Sequence, residues 1–114
     1  MSPRSHITTH VLDSVSGRPA TSVGVVLEQH LHGSWRELDT ASTDADGRVA
    51  DLGPEAVSAG RYRITFDTGS YFAARGQATF YPYVTIVFEL ADESAHFHVP
   101  LLLSPFAYST YRGS

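Results

Sequence analysis

Apolar residues recur at every second position through most of this chain, in short runs parted by turn residues. In residues 7–13, Ile7, Thr9 and Val11 fall on one side and Thr8, His10 and Leu12 on the other, the period of a β-strand. Gly17 and Pro19 punctuate the connection that follows. Val23, Val25 and Leu27 share one face of a second run that continues to about Leu31. A break at His32, Gly33 and Ser34 leads to a third run over residues 35–42. Residues 43–47 form a tight turn, in which Gly47 adopts positive φ at little cost, and a short strand over residues 48–51 leaves it. The clearest alternation starts at Arg61, with Tyr62, Ile64 and Phe66 inward and Arg61, Arg63, Thr65 and Asp67 outward. Residues 68–76 break the pattern, and Ser70 is expected to cap a short helix closed by Gly76. Beyond Pro82, Val84, Ile86, Phe88 and Leu90 alternate again, and a last pair of strands follows the turn at residues 92–94. Seven or eight short strands with one short helix and no β–α alternation predict an all-β fold, an antiparallel sandwich of two sheets.

Composition narrows the classes of function. A chain of 114 residues, 42% hydrophobic and 18% charged, is one globular domain over residues 1–114. Its formal net charge of −4 without a basic cluster excludes a nucleic-acid footprint. The absence of cysteine removes disulfides, thiolate metal sites and cysteine nucleophiles together. The first residues lack the apolar core of a secretory signal, and no run approaches the roughly 18 apolar residues of a membrane span. The expectation is a soluble, cytoplasmic protein with no membrane contact.

Candidate chemistry lies in histidines on the polar sides of strands. His10 is opposite Ile7, Thr9 and Val11; His96, His98 and Pro100 are opposite Phe97, Val99 and Leu101. Three readings stand at this point. The first is surface imidazoles without a special role. The second is a metal site, with His96 and His98 pointing the same way and His10 as a third nitrogen, although no motif such as HExxH accompanies them. The third is acid–base chemistry by imidazoles, which titrate near neutrality, with Arg48 holding an anionic oxygen pair. No GxSxG elbow surrounds Ser104, Ser109 or Ser114, so a serine nucleophile is not indicated. Residues 96–114, HFHVPLLLSPFAYSTYRGS, run aromatic, cationic and small residues to the final position, which predicts a docked terminus.

Three segments carry a resemblance. HVLDSVSGRPATSVGV (residues 10–25) and FHVPLLLSP (residues 97–105) resemble the two signatures of the transthyretin superfamily, and the terminal YRGS resembles the hallmark of its 5-hydroxyisourate-hydrolysing branch. The similarity covers essentially the whole chain. It implies a prealbumin-like sandwich of two four-stranded sheets with one short helix. It further implies a homotetramer built as a dimer of dimers, with active sites where the dimers meet, at the place where the hormone carrier of the superfamily binds thyroxine. The implied reaction opens the ring of 5-hydroxyisourate, a purine-derived small molecule from urate oxidation on the way to allantoin, giving 2-oxo-4-hydroxy-4-carboxy-5-ureidoimidazoline without a cofactor or metal. By the same resemblance the catalytic residues are His10, Arg48 and His98, and substrate binding falls to His10, Arg48, Tyr111, Arg112 and Ser114. The carrier has other residues at the positions of His10, Arg48 and His98 and lacks the YRGS end. Ala107 stands where the enzymes often have glycine.

Overall fold

The computed structural model describes residues 6–113. Two sheets face each other. One holds β1 (Ile7–Asp13), β5 (Arg48–Leu52), β8 (Phe97–Leu103) and β9 (Tyr108–Thr110), with a two-residue extension, β2 (Arg18–Pro19), on the end of β1. The other runs in the order β4 (Ser34–Ser42), β3 (Gly24–Leu31), β6 (Gly60–Phe66), β7 (Val84–Leu90). The predicted all-β sandwich of two four-strand layers is therefore present, with β2 as a small addition.

One pairing departs from the antiparallel rule. β1 runs parallel to β8, with Thr8 opposite His98 and His10 opposite Pro100. Strands far apart in the chain meet here, so no hairpin forces them to run in opposite directions. All other strand pairs are antiparallel.

The inward sets meet as the alternation predicts. Ile7 and Val11, Leu101 and Leu103 from one sheet face Val25, Leu27, Tyr62, Ile64 and Phe66 from the other, all with exposures of 2% or less. Each such side chain contributes about 1.5–3 kcal/mol by leaving water. Thr9 belongs to the same inner face and satisfies its hydroxyl by donating to the Val99 carbonyl at 2.5 Å. The break after β3 is a two-residue hairpin loop with positive φ at His32 and Gly33, the geometry that matches strand twist.

The helix begins earlier than its sequence suggested. α1 spans Thr68–Ala73, and the capping residue is Asp67, whose carboxylate accepts the Ser70 N–H. Ser70 thus supplies a backbone donor to the cap and lies inside the first turn. Both residues suit a cap by type; Asp67 takes the position because β6 ends at Phe66 and hands the chain over there. Gly76, at φ 65°, closes the far end, with the Gln77 N–H returning to the Phe72 carbonyl.

Candidate active site

β1 is the strand on which the site is built. Its outward face carries Thr8 and His10, about 7 Å apart along the pleat. His10 is the antiparallel partner of Arg48 on β5, so the two side chains leave the same face of the sheet side by side. His98 on β8 is the parallel partner of Thr8. The two candidate histidines are therefore diagonal neighbours across adjacent strands.

The turn before β5 fixes the first pair. The Asp44 carboxylate accepts the N–H groups of Asp46 and Arg48, both at 2.9 Å. The Gly47 N–H returns to the Asp44 carbonyl, and its own carbonyl accepts the Val11 N–H at 2.7 Å. These bonds dock the turn on β1 and aim the Asp46 carbonyl at His10, whose Nε2 donates to it at 2.9 Å. A carbonyl can only accept, so this contact puts a proton on Nε2 of the ring. The Asp44 carboxyl is held below the usual carboxylate range, chiefly by the Arg48 N–H and secondarily by the Asp46 N–H and the charges of Arg48 and His10. An ionised carboxylate thus lies within electrostatic reach of His10 and Arg48 at neutral pH.

His98 is gripped on two edges. Thr8 Oγ1 lies 2.8 Å from its Nδ1 and 2.9 Å from Nε2 of His96. On the other edge stands Gly113, whose N–H donates to the His98 carbonyl at 2.9 Å and where a Cβ would lie 2.6 Å from the ring's Cδ2. The bridge between His98 and Gly113 is the docking of the C-terminal segment that its composition predicted.

The tail residues divide. Tyr111 is 58% exposed. The Arg112 guanidinium turns to the rim of the sandwich and stacks over the Phe97 ring at 4.6 Å, a cation–π contact. Ser114 lies outside the described residues. A cavity of about 260 Å³ between β7 and the tail is lined by Glu89, Phe97, His98, Tyr111 and Arg112, among others, but includes neither His10 nor Arg48. A larger, more open hollow of about 350 Å³ lies at the end of the sandwich beside His6, Glu55, Glu93 and His96 and reaches none of the other candidates. Among the described residues, then, the structure brings His10 beside Arg48 and His98 diagonally near them, with His10 and His98 half-buried and Arg48 exposed. Among the described residues no group of three or more His, Asp or Glu side chains is arranged to hold a metal ion.

Nothing in the sequence marks Thr8 or the Asp46 carbonyl as part of the site. The alternation did put Thr8 on the side of His10, but only the parallel register with β8 reveals that it meets His98.

The family model described as HIUase/Transthyretin family matches residues 7–113. The chain is 48% identical to the mouse (Mus musculus) 5-hydroxyisourate hydrolase, covering 96% of each chain. Its fold superposes on the Klebsiella pneumoniae 5-hydroxyisourate hydrolase with a TM-score of 0.84 at 38% identity, covering 95% of this chain and 98% of that one. It superposes on sea bream transthyretin solved in complex with thyroxine with a higher TM-score, 0.90, at 35% identity, covering 94% and 93%. The chain belongs to the HIUase/transthyretin family.

Proposed function

We propose that this chain is a 5-hydroxyisourate hydrolase that opens the substrate's six-membered ring by hydrolysing a ring amide, and that it works in the cytoplasm. The observation that carries the reading is the pairing of His10 with Arg48 across β1 and β5, with His98 on the neighbouring strand of the same face. A cation beside an imidazole suits an anionic, oxygen-rich substrate, and a second imidazole completes the acid–base pair. The identity of 48% to a named hydrolase over 96% of the chain supports the same activity.

In the proposed mechanism one imidazole, His10 or His98, takes a proton as water attacks the ring carbonyl. The water oxygen becomes part of a carboxylic acid, the C–N bond breaks, and the departing ring nitrogen takes the proton from the imidazole; the acid then ionises to the carboxylate and releases its own proton to solvent. Arg48 holds the anionic substrate and stabilises negative charge developing on oxygen. Tyr111 fixes the ring by hydrogen bonding, and Arg112 and Ser114 shape the end of the pocket. The exposed positions of Tyr111 and Arg48 support a second subunit as a further wall of the site, hence a homotetramer of paired dimers.

The likeness to a thyroxine-complexed carrier favours a second reading, a binding protein that uses the same face. The substrate decays on its own, so the deciding measurement is its ultraviolet absorbance with time, with and without protein. Acceleration by the wild type, reduced about 10²–10⁴-fold in kcat by His98→Ala or Arg48→Ala, is the expected result. Binding of an aromatic ligand with no acceleration would establish the carrier instead. Full activity in both variants would remove these residues from the site.

A further inference from the structure

Thr8 is a polar residue in a place that asks for an explanation. It lies on the outer face of β1, yet it is only 4% exposed, because two imidazoles cover it. Its hydroxyl is within hydrogen-bond distance of Nδ1 of His98 and of Nε2 of His96. A hydroxyl has one proton and two lone pairs, so it can donate to only one of the two rings. The other ring must donate to it. The protonation of each ring therefore constrains the other, although the two belong to different positions along β8 and its approach.

We infer that Thr8 is the positioning residue of the site and that its hydroxyl joins His98 and His96 into a two-ring proton relay. The inference rests on the hydrolase reading for its consequence in catalysis, not for its geometry. In the resting state His98 donates Nδ1–H to Thr8, and Thr8 donates to Nε2 of His96. That arrangement sets the neutral His98 ring in the tautomer with its lone pair on Nε2, the form that accepts a proton. Gly113 against Cδ2 and Thr8 at Nδ1 hold two edges of the ring.

When His98 takes the water proton at Nε2, the positive charge need not stay on it. Its Nδ1 proton passes to Thr8 as the Thr8 proton passes to Nε2 of His96, which leaves His98 neutral and His96 charged. The reverse shift restores the His98 cation before its Nε2 proton goes to the departing ring nitrogen. No proton is gained or lost in the exchange. The other ionisable groups facing this pair are His10 two residues along β1, Glu89 on β7, and Tyr111 and Arg112 on the tail. His6, Glu55 and Glu93 flank His96 at the end of the sandwich.

Two substitutions separate hydroxyl from shape. Thr8→Val keeps the branched side chain and removes the donor; Thr8→Ser keeps the hydroxyl. In Thr8→Val, kcat is expected to fall about 10–100-fold with KM changed less than about threefold, and the acid limb of the kcat–pH profile to move. Thr8→Ser is expected to stay within about threefold of the wild type. Independently of activity, the ¹⁵N shifts of the His98 ring report its tautomer, and Thr8→Val should move them toward a mixed population while Thr8→Ser does not. Unchanged ring shifts in Thr8→Val overturn the inference, as does a loss of kcat that Thr8→Ser shares. If the wild type fails to accelerate ring opening, the hydrolase reading falls, and the ring shifts still decide the role of Thr8.

Discussion

Gly113 shows how much a single hydrogen atom in place of a methyl group can matter at this site. A Cβ there would lie 2.6 Å from Cδ2, 3.2 Å from Cγ and 3.3 Å from Cβ of His98, too close along the whole inner edge of the ring. The imidazole is not a loose chain end that can swing aside, since Thr8 holds its opposite edge. Gly113→Ala should therefore turn the ring away from Thr8 and leave the core untouched. The expected result is a fall in kcat of about 10²-fold with thermal stability within about 0.5 kcal/mol of the wild type. Parallel measurement of turnover and melting checks it, and equal losses in both would mean that Gly113 serves the fold instead. The terminal tetrapeptide was conspicuous in the sequence because of its composition. Its glycine became explicable only when the strand register put His98 beside it.

Among elements, β1 has the most depends-on-it neighbours: β8 on one side, β5 and the docked turn on the other, and α1 beneath its end. The turn is held by Gly47, at φ 74°, where a Cβ would collide with the Val11 carbonyl oxygen. Gly47→Ala combines left-handed strain with that collision, so a loss of about 2–3 kcal/mol is expected in denaturant unfolding, together with reduced activity as Arg48 loses its register. At the far end of β1, the Asp13 carboxylate accepts the Tyr71 hydroxyl at 2.8 Å, which ties α1 to the strand. Burial and then the Asp13 carboxylate push the Tyr71 phenol up to about 12. Burial would raise Asp13, but the Tyr71 hydroxyl and the N–H groups of Ser16 and Val15 outweigh it and hold the carboxyl below its ordinary range. A depressed carboxyl stabilises the fold above the unfolded value of about 3.9 and loses that contribution as pH falls through the lower folded value. Tyr71→Phe should cost about 1.5–3 kcal/mol at pH 7, with the gap to the wild type narrowing below about pH 4 in urea titrations. A gap that stays constant down to pH 2 would contradict this. The strands themselves were readable because Val, Ile, Phe and Leu recur with a period of two wherever one face is buried. Two things escaped. The helix cap could be Asp67 or Ser70 by residue type, and only the end of β6 decides. The parallel pairing of β1 with β8 depends on contacts between residues some 90 positions apart, which no local pattern contains.

At the scale of the molecule, the parallel pairing places two loops together. The C-terminal ends of β1 and β8 lie side by side, Asp13 opposite Leu103, and the Ser14 N–H donates to the Leu103 carbonyl at 2.8 Å. The turn after β1 and the turn after β8 therefore project from the same end of the site-bearing sheet. They expose Val15 and Phe106, 71% and 65% accessible, next to Leu12 and Leu102, which are paired on the outer face of that sheet. Large apolar groups gathered around the proposed site face are what a self-complementary contact would bury. If that contact joins the two dimers of the proposed tetramer, charges at its edge should undo the assembly without unfolding the subunit. The double variant Val15→Glu, Phe106→Glu is expected to fall in sedimentation velocity from a mass of about four chains to about two. Its far-ultraviolet spectrum should be unchanged, since both side chains lie outside the core. Ring opening should fall at least about tenfold, although His10, Arg48, His98 and Tyr111 are all intact, because the wall that the second dimer supplies would be gone and water would enter. A dimeric variant that turns over substrate at the wild-type rate would show that each face is complete by itself.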